Sequence, residues 1–287
     1  MKIGVLGTGL MGTAIAAKLF NSGLNIIAYN RTQQKLKPLS EQGLKTTTNV
    51  QKAIARSDYL ILTLSDAEAI QSVLLDGIKG FENKIVIQMG TIAPAESRSI
   101  AADIRNKNGS YLEAPVLGSI PQAKTGTLLV MAGGDAAIFE QCLPILRQLG
   151  EAPMLIGEVG TAAALKLALN QLIASLTASF SLSLGLVQKE GVDLNKFMAI
   201  LRDSALYAPT FDKKLQRMTE RNFENPNFPT KHLLKDTNLF ITSAKSAGLN
   251  TDGLIGIQAL IEQAIAAQLS DLDYSAIFNI ITPNPEA

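Results

Sequence analysis

The first half of the chain alternates short apolar runs with stretches of helical spacing. Residues 2–6, 24–30, 59–64, 84–89, 111–116, 128–132 and 154–156 are apolar runs of strand length. Residues 10–21, 67–75, 94–107 and 136–149 carry apolar positions at helical intervals between several of these runs. Short apolar strands alternating with helices predict βαβ units and a mostly parallel sheet. Near residue 161 the pattern changes to long helical stretches, 161–190, 194–203, 230–247 and 254–268, with Gly191 and Gly248 where helix-ending glycines belong. The segment 222–229, with two prolines, reads as a loop, and the tail 282–287 as loosely held. The pattern predicts two domains, 1–160 and 161–287, the second opening with a long helix.

No charge separates Lys166 from Lys189, a length that can cross a bilayer. Asn170, Gln171, Ser175, Thr177, Ser179, Ser181, Ser183 and Gln188 make it too polar for a membrane span, so a buried soluble helix is expected. Ser175, Ser179 and Ser183 recur every four residues beside Ala174 and Ala178, a spacing that admits a close helix neighbour within the chain or in a homo-oligomer.

Composition narrows the function. Of 287 residues, 47% are hydrophobic, enough for a sizeable core, and 26 Lys and Arg balance 25 Asp and Glu. That balance provides no field for gathering nucleic acid or an anionic membrane. One Cys and one His, Cys142 and His232, exclude an internal disulfide and a Cys/His zinc site, and no carboxylate metal signature stands out. Met1 leads directly into the first strand without the order of a secretory signal, so a cytoplasmic home is expected.

Gly7-Thr8-Gly9-Leu10-Met11-Gly12 fits G-x-G-x-x-G, follows a strand and opens a helix. In that context Gly7 permits the tight turn, Gly9 admits a pyrophosphate and Gly12 lets helix and strand approach. The helix N-terminus offers unpaired N–H groups to the phosphates. The reading is an α/β Rossmann-type N-terminal domain plus an all-α C-terminal domain linked by a long helix. At the end of the second strand, where an NAD site usually carries an acid, the chain has Asn30-Arg31-Thr32, with Lys35 a turn later. Nothing there repels a 2′-phosphate, and Arg31 can grip it, so NADP(H) is the expected cofactor. Solvated surface charge is the other reading of Arg31 and Lys35.

Four further segments together resemble the β-hydroxyacid dehydrogenase family, in particular its glyoxylate/succinic semialdehyde reductase branch, over nearly the whole chain. The first is Glu113-Ala114-Pro115-Val116-Leu117-Gly118-Ser119, similar to the family's substrate-binding signature, with Leu117 where the family usually has Ser. The resemblance implies that Gly118 and Ser119 hold the substrate carboxylate and that the substrate profile differs at Leu117. The second runs from Gly157 to Lys166 and on to Asn170. It resembles the family's catalytic helix and implies Lys166 as the catalytic residue, with Asn170 on the same helix face. The residues alone leave a surface lysine equally open. The third, Phe228 to Asp236, implies Lys235 beside the nicotinamide and Phe228 and Asp236 beside the substrate, with His232 structural. The fourth, Gly90-Thr91-Ile92-Ala93-Pro94, implies that Thr91 meets nicotinamide and substrate, while Leu64 and Ser65 match a cofactor-contacting turn and Met11 lies against the nicotinamide.

The implied reaction is NADPH-dependent reduction of small aldehyde-acids such as glyoxylate and succinic semialdehyde, with Lys166 as proton donor and the helical domain completing the substrate site. Alternatives are an NAD-linked 3-hydroxyisobutyrate or tartronate semialdehyde enzyme, an imine reductase, or a non-catalytic NADP-binding scaffold. Asn30-Arg31-Thr32 weighs against NAD linkage, and Lys166 against the last two.

Overall fold

The computed structural model describes residues 1–283, which divide into two compact units, Met1–Lys166 and Leu167–Ala287, the second described as far as Pro283. In the first unit, parallel strands β1 (Lys2–Leu6), β2 (Asn25–Tyr29), β3 (Lys45–Thr47), β4 (Tyr59–Leu62), β5 (Ile85–Gln88) and β6 (Ser110–Glu113) form one sheet. β7 (Val116–Leu117) and β8 (Leu129–Gly134) add antiparallel pairing, and β9 (Met154–Gly157) returns parallel to β8. The order is β3-β2-β1-β4-β5-β6-β8-β7, with β9 on β8. The chain therefore leaves β1 in one direction and resumes on its other side at β4. This reversal opens a crevice at the carboxyl ends of β1 and β4, the usual ligand position in an open α/β sheet.

The strands are apolar along both faces because helices cover both. Ile3, Val5, Ile61 and Ile87 pack with α1 (Leu10–Asn21) and α7 (Ala136–Leu146). Leu60, Leu62 and Val86 pack with Ile70, Leu74, Ile100 and Ile104 from the opposite side. Those last residues come from α4 (Ala67–Ile70), a π-helical turn Gln71–Leu75 and α5 (Pro94–Asn106). Fully burying one such side chain stabilises by roughly 1.5–3 kcal/mol.

Each predicted strand and helix of this half forms, with two differences. The run 111–116 is broken: β6 ends at Glu113, and β7 begins at Val116 against β8. The stretch 136–149 stops being helical at Leu146. A polar corner also gains structure, with a 3-10 turn Gln33–Leu36, α2 (Lys37–Ser40), β3 and α3 (Val50–Ala55), the last capped by Asn49 Oδ1, which accepts from Lys52 N at 2.9 Å. A short helix α6 (Ile120–Thr125) follows β7.

The long helix α8 (Thr161–Lys189) opens at the end of the first unit. In the second unit it is followed by α9 (Leu194–Asp203), α10 (Pro209–Thr219), α11 (Thr230–Ser246), α12 (Asp252–Ala266), a 3-10 turn Tyr274–Ile277 and α13 (Phe278–Ile281). Gly191 and Gly248 take positive φ, +70° and +77°, after α8 and α11, as helix-terminating glycines do. Ala174 and Ala178 face inward against Leu233, Ile261 and Ile277. Phe180 stacks on Phe211 at 4.6 Å in a second cluster with Met198, Met218 and Phe278. The serine row does not serve as a packing seam within the chain: Ser179 and Ser183 are exposed, and Ser175 accepts from Gln171 Nε2 at 2.9 Å. α8 is long and apolar enough to cross a membrane by composition, yet these inward residues make it the core helix of this unit. Thr282, expected to be loose, is buried, and its carbonyl accepts from Arg221 Nη2 at 2.9 Å; residues 284–287 of that tail lie outside the described residues.

Candidate functional site

At the carboxyl end of β1 the chain turns at Gly7 with φ +102°, a conformation that side chains resist. Gly7 N donates to Tyr29 O at 3.0 Å, and Gly7 O accepts from Thr63 Oγ1 at 2.7 Å, so the turn is tied to both neighbouring strands. A Cβ at Gly12 would stand 2.1 Å from Gly7 O and 2.3 Å from Thr63 Oγ1. A Cβ at Gly9 would meet nothing within 4 Å. Two of the glycines are therefore required by the fold, whereas Gly9 leaves its space open. No side chain among the described residues caps α1 at Gly9, which leaves its first N–H groups for an anion. Leu10 is exposed and Met11 half-buried on this turn, and buried Thr8 donates its hydroxyl to Lys35 O at 3.2 Å. These features fit a dinucleotide pyrophosphate.

Beyond β2, Asn30 Oδ1 accepts from Thr32 N at 2.9 Å, so the asparagine shapes the turn and keeps its Nδ2 for donation. Arg31 and Lys35 are exposed, and Thr32 is half-buried. After β4, Leu64 is half-buried and Ser65 exposed, and Asp66 Oδ1 caps α4 by accepting from Ala69 N at 2.7 Å. After β5, Gln88 Nε2 donates to Gly90 O at 3.0 Å, and Gln88 Oε1 accepts from Gly90 N. A Cβ at Gly90 would stand 2.6 Å from Leu64 O, so this glycine lets the loops carrying Leu64 and Thr91 close up. Parallel register thus brings the glycine turn, 30–35, 64–65 and half-buried Thr91 to one end of the sheet.

Glu113, at the end of β6, is 1% exposed. Its Oε1 accepts from the backbone N–H groups of Gly160 at 2.8 Å, Ala162 at 2.8 Å and Ala163 at 3.2 Å. Its Oε2 accepts from Ser97 Oγ, which lies 2.8 Å from Tyr111 Oη. Gly133 makes room for it, since a Cβ there would stand 2.4 Å from Glu113 Oε1. Burial, with the Glu113 charge adding to it, pushes the Tyr111 phenol well above its usual range and keeps it neutral. Lys166, half-buried, lies one turn beyond Ala162 and Ala163 on α8.

Leu117 is half-buried and Gly118 exposed with φ +136°. Ser119 is not open as the sequence suggests. Its N–H donates to Gln122 Oε1 at 3.0 Å and its hydroxyl to the same oxygen at 2.7 Å, at the start of α6. A carboxylate held by Ser119 has to displace Gln122 Oε1.

In the second unit Asn170 Nδ2 donates to Asp236 Oδ2 at 2.6 Å, and both residues are buried. Lys235 Nζ lies 2.9 Å from Asp236 Oδ1. Asn170 Oδ1 is buried without a hydrogen-bond partner, an acceptor held out of water that invites a ligand donor. Phe228 stacks on His232 at 6.3 Å and meets Tyr274 edge-on at 5.8 Å. Burial, with nearby Lys235 reinforcing it, lowers the His232 pKa, so the ring is neutral at pH 7 and acts in packing. Burial also pushes the Cys142 thiol up to about 12, which rules it out as a nucleophile. Among the described residues no group of three or more His, Cys, Asp or Glu gathers to hold a metal.

Sequence reasoning did not single out Thr63, Gln88 or Gln122, and it placed Glu113 at the head of the substrate-binding signature without giving it a role. Only Gln122 had a local signal, the Ser-x-x-Gln spacing of a capping box.

Comparisons with known proteins agree with this geometry. Residues 2–160 match the NAD-binding domain of 6-phosphogluconate dehydrogenase, and residues 160–281 match the NAD-binding family of NADP-dependent 3-hydroxyisobutyrate dehydrogenase. Glyoxylate/succinic semialdehyde reductase 1 of Arabidopsis thaliana is 32% identical over 98% of this chain and 98% of its own length. The chloroplastic reductase 2 of the same plant is 32% identical over 98% of this chain and 79% of its own. A crystal structure of 3-hydroxyisobutyrate dehydrogenase from Salmonella typhimurium superposes with a TM-score of 0.87 at 22% identity, over 98% of this chain and 99% of that one. The chain belongs to the β-hydroxyacid dehydrogenase family of 3-hydroxyisobutyrate dehydrogenase type, nicotinamide-dinucleotide-dependent oxidoreductases that act on CH–OH groups.

Proposed function

We propose that the protein is an NADPH-dependent reductase of small aldehyde-acids, glyoxylate and succinic semialdehyde among them, and that Lys166 is its proton donor. The observation that carries this reading is Lys166 itself. It is half-buried near the start of α8, in a helix with no other charge before Lys189. It is the one charge on this stretch and stands at the position that the resemblance assigns to the catalytic residue, which supports the proton-donor role. The two Arabidopsis relatives, named for these two aldehyde-acids, support the substrate class.

Gly9 and the uncapped start of α1 hold the pyrophosphate, and Arg31, Asn30, Thr32 and Lys35 take the 2′-phosphate side. Bound NADPH supplies the hydride that reduces the carbonyl carbon. As negative charge grows on the carbonyl oxygen, the Lys166 ammonium stabilises it and passes it a proton, leaving a neutral amine and the hydroxy acid. Gly118 N and, once Gln122 withdraws, Ser119 hold the substrate carboxylate. Thr91, Met11, Leu64, Ser65 and Lys235 keep the nicotinamide roles that the resemblance implies, and Leu117, Asn170, Phe228 and Asp236 those toward the substrate.

Initial rates over a panel of aldehyde-acids, with NADPH and NADH in parallel, test this reading. The expected result is turnover of glyoxylate and succinic semialdehyde with NADPH preferred by about a hundredfold or more, the lower end of what two charge-assisted hydrogen bonds of roughly 1.5–3 kcal/mol each contribute. Turnover only of the aldehyde that corresponds to 3-hydroxyisobutyrate, and only with NADH, overturns it.

A further inference from the structure

We infer that Glu113 is a positioning residue for Lys166, fixing the axial height and rotation of the first turn of α8. The inference rests on the proton-donor reading of Lys166. Three observations carry it. One carboxylate oxygen accepts from three backbone N–H groups, those of Gly160, Ala162 and Ala163, at 2.8, 2.8 and 3.2 Å. A helix start gripped at three points by one atom can neither slide nor roll without breaking a charge-assisted hydrogen bond. The residue that follows Ala163 by three places is Lys166, so the grip lies directly beneath it on the helix.

The carboxylate is in turn held from its other side. Ser97 Oγ donates to Oε2, Tyr111 Oη lies 2.8 Å from Ser97 Oγ, and all three residues are buried. Ser97 comes from α5 and Tyr111 from β6, so the anchor is built on the sheet and its covering helix. Two glycines are shaped around the arrangement. Gly133 clears space for Glu113 Oε1, and Gly160, with φ +102°, would carry a Cβ 2.1 Å from Arg98 Nη1. Gly160 therefore turns the chain into α8 against the Arg98 side chain. A helix that needed only an N-terminal cap would be served by a solvent-facing Ser or Asp. Here the cap is a fully buried anion wired to the sheet, which fixes the helix start rather than merely satisfying it. A displacement of about 1 Å at a reacting group can cost on the order of a hundredfold in rate.

The test is a double-mutant cycle on kcat for NADPH-dependent glyoxylate reduction by the full chain, using wild type, Glu113→Ala, Lys166→Ala and the double variant. NADPH affinity by fluorescence titration confirms that each is folded. Glu113→Ala is expected to lower kcat by about a hundredfold while KM and NADPH affinity stay within about threefold. Glu113→Gln keeps the acceptor oxygen without the charge and is expected to recover all but about tenfold of the rate. In the Lys166→Ala background the Glu113 change is expected to cost nothing more, because the group it positions is gone. An equal loss in both backgrounds overturns the inference while leaving Lys166 as proton donor intact. Near-normal turnover of Lys166→Ala alone removes the proton-donor reading and this inference with it. Should Glu113→Ala fail to fold, the same cycle with Glu113→Gln decides by the same non-additivity.

Discussion

Replacing Gly9 and Gly12 one at a time by alanine separates what the glycine turn does for the fold from what it does for the cofactor. At Gly12 the added methyl would sit 2.1 Å from Gly7 O and 2.3 Å from Thr63 Oγ1, and the first of these is backbone that cannot rotate away. Overpacking of this kind costs roughly 1–3 kcal/mol, and here α1 has to lift from β1 to relieve it. At Gly9 the methyl meets no atom within 4 Å, and the backbone, at φ −74° and ψ −165°, already suits alanine. Gly9→Ala is therefore expected to leave the melting temperature unchanged or raise it slightly, since a Gly-to-Ala change at a compatible position stabilises by about 0.4–1 kcal/mol. The same methyl occupies the space assigned to the pyrophosphate, so NADPH affinity is expected to fall by a hundredfold or more, equivalent to about 2.7 kcal/mol. The assay is a thermal melt of each apo variant beside an NADPH fluorescence titration. Gly9→Ala binding NADPH with wild-type affinity would refute the placement of the pyrophosphate. Gly12→Ala melting like wild type would refute the packing argument.

Three other outcomes are expected. Arg31→Ala is expected to weaken NADPH binding by at least tenfold and to leave NADH binding within about twofold, because the guanidinium is assigned to the 2′-phosphate that NADH lacks; equal losses for both cofactors in a titration would count against the assignment. Gln122→Ala releases the Ser119 N–H and hydroxyl, so KM for glyoxylate falls while stability drops by about 0.5–1 kcal/mol from the two lost bonds; an unchanged KM means Ser119 does not hold the carboxylate. Burial holds the folded His232 pKa below its usual 6.5, so as pH falls the unfolded chain takes up this proton first and stability is lost from that pH downward. His232→Gln is expected to flatten the dependence of melting temperature on pH between about 7 and 5, and parallel curves for the two proteins would contradict the assignment.

How much was legible in the sequence depended on whether the signal was local. β1, α1 and the glycine turn are each written in consecutive residues, and they form as read. The corner holding β3 and α3 escaped because Lys45-Thr46-Thr47 is a polar edge strand with one neighbour and no buried face. α10 escaped because only Phe211 and Met218 of its residues are buried, too sparse a stripe for an apolar pattern. The run 111–116 read as one strand because its residues stay buried past the break at Glu113. The grip of Glu113 on the start of α8 was invisible for a different reason. Its partners are backbone N–H groups 47 to 50 residues away, and a backbone donor leaves no mark on residue identity. Ser119 was read as a free donor because the sequence shows which groups exist, not which are already engaged. The Ser-x-x-Gln spacing was the one clue to that engagement.

The central claim is that Lys166 delivers the proton, and its most direct test is single-turnover reduction of glyoxylate by Lys166→Ala with NADPH already bound. In the proposed mechanism the ammonium acts where charge appears only in the transition state, whereas cofactor binding is assigned to the glycine turn and Arg31. The account predicts hydride transfer slowed by roughly 10²–10⁴-fold, NADPH affinity within about threefold of wild type, and little recovery in Lys166→Arg, whose guanidinium keeps its proton. A Lys166→Ala enzyme that reduces glyoxylate at a near-wild-type rate would contradict it.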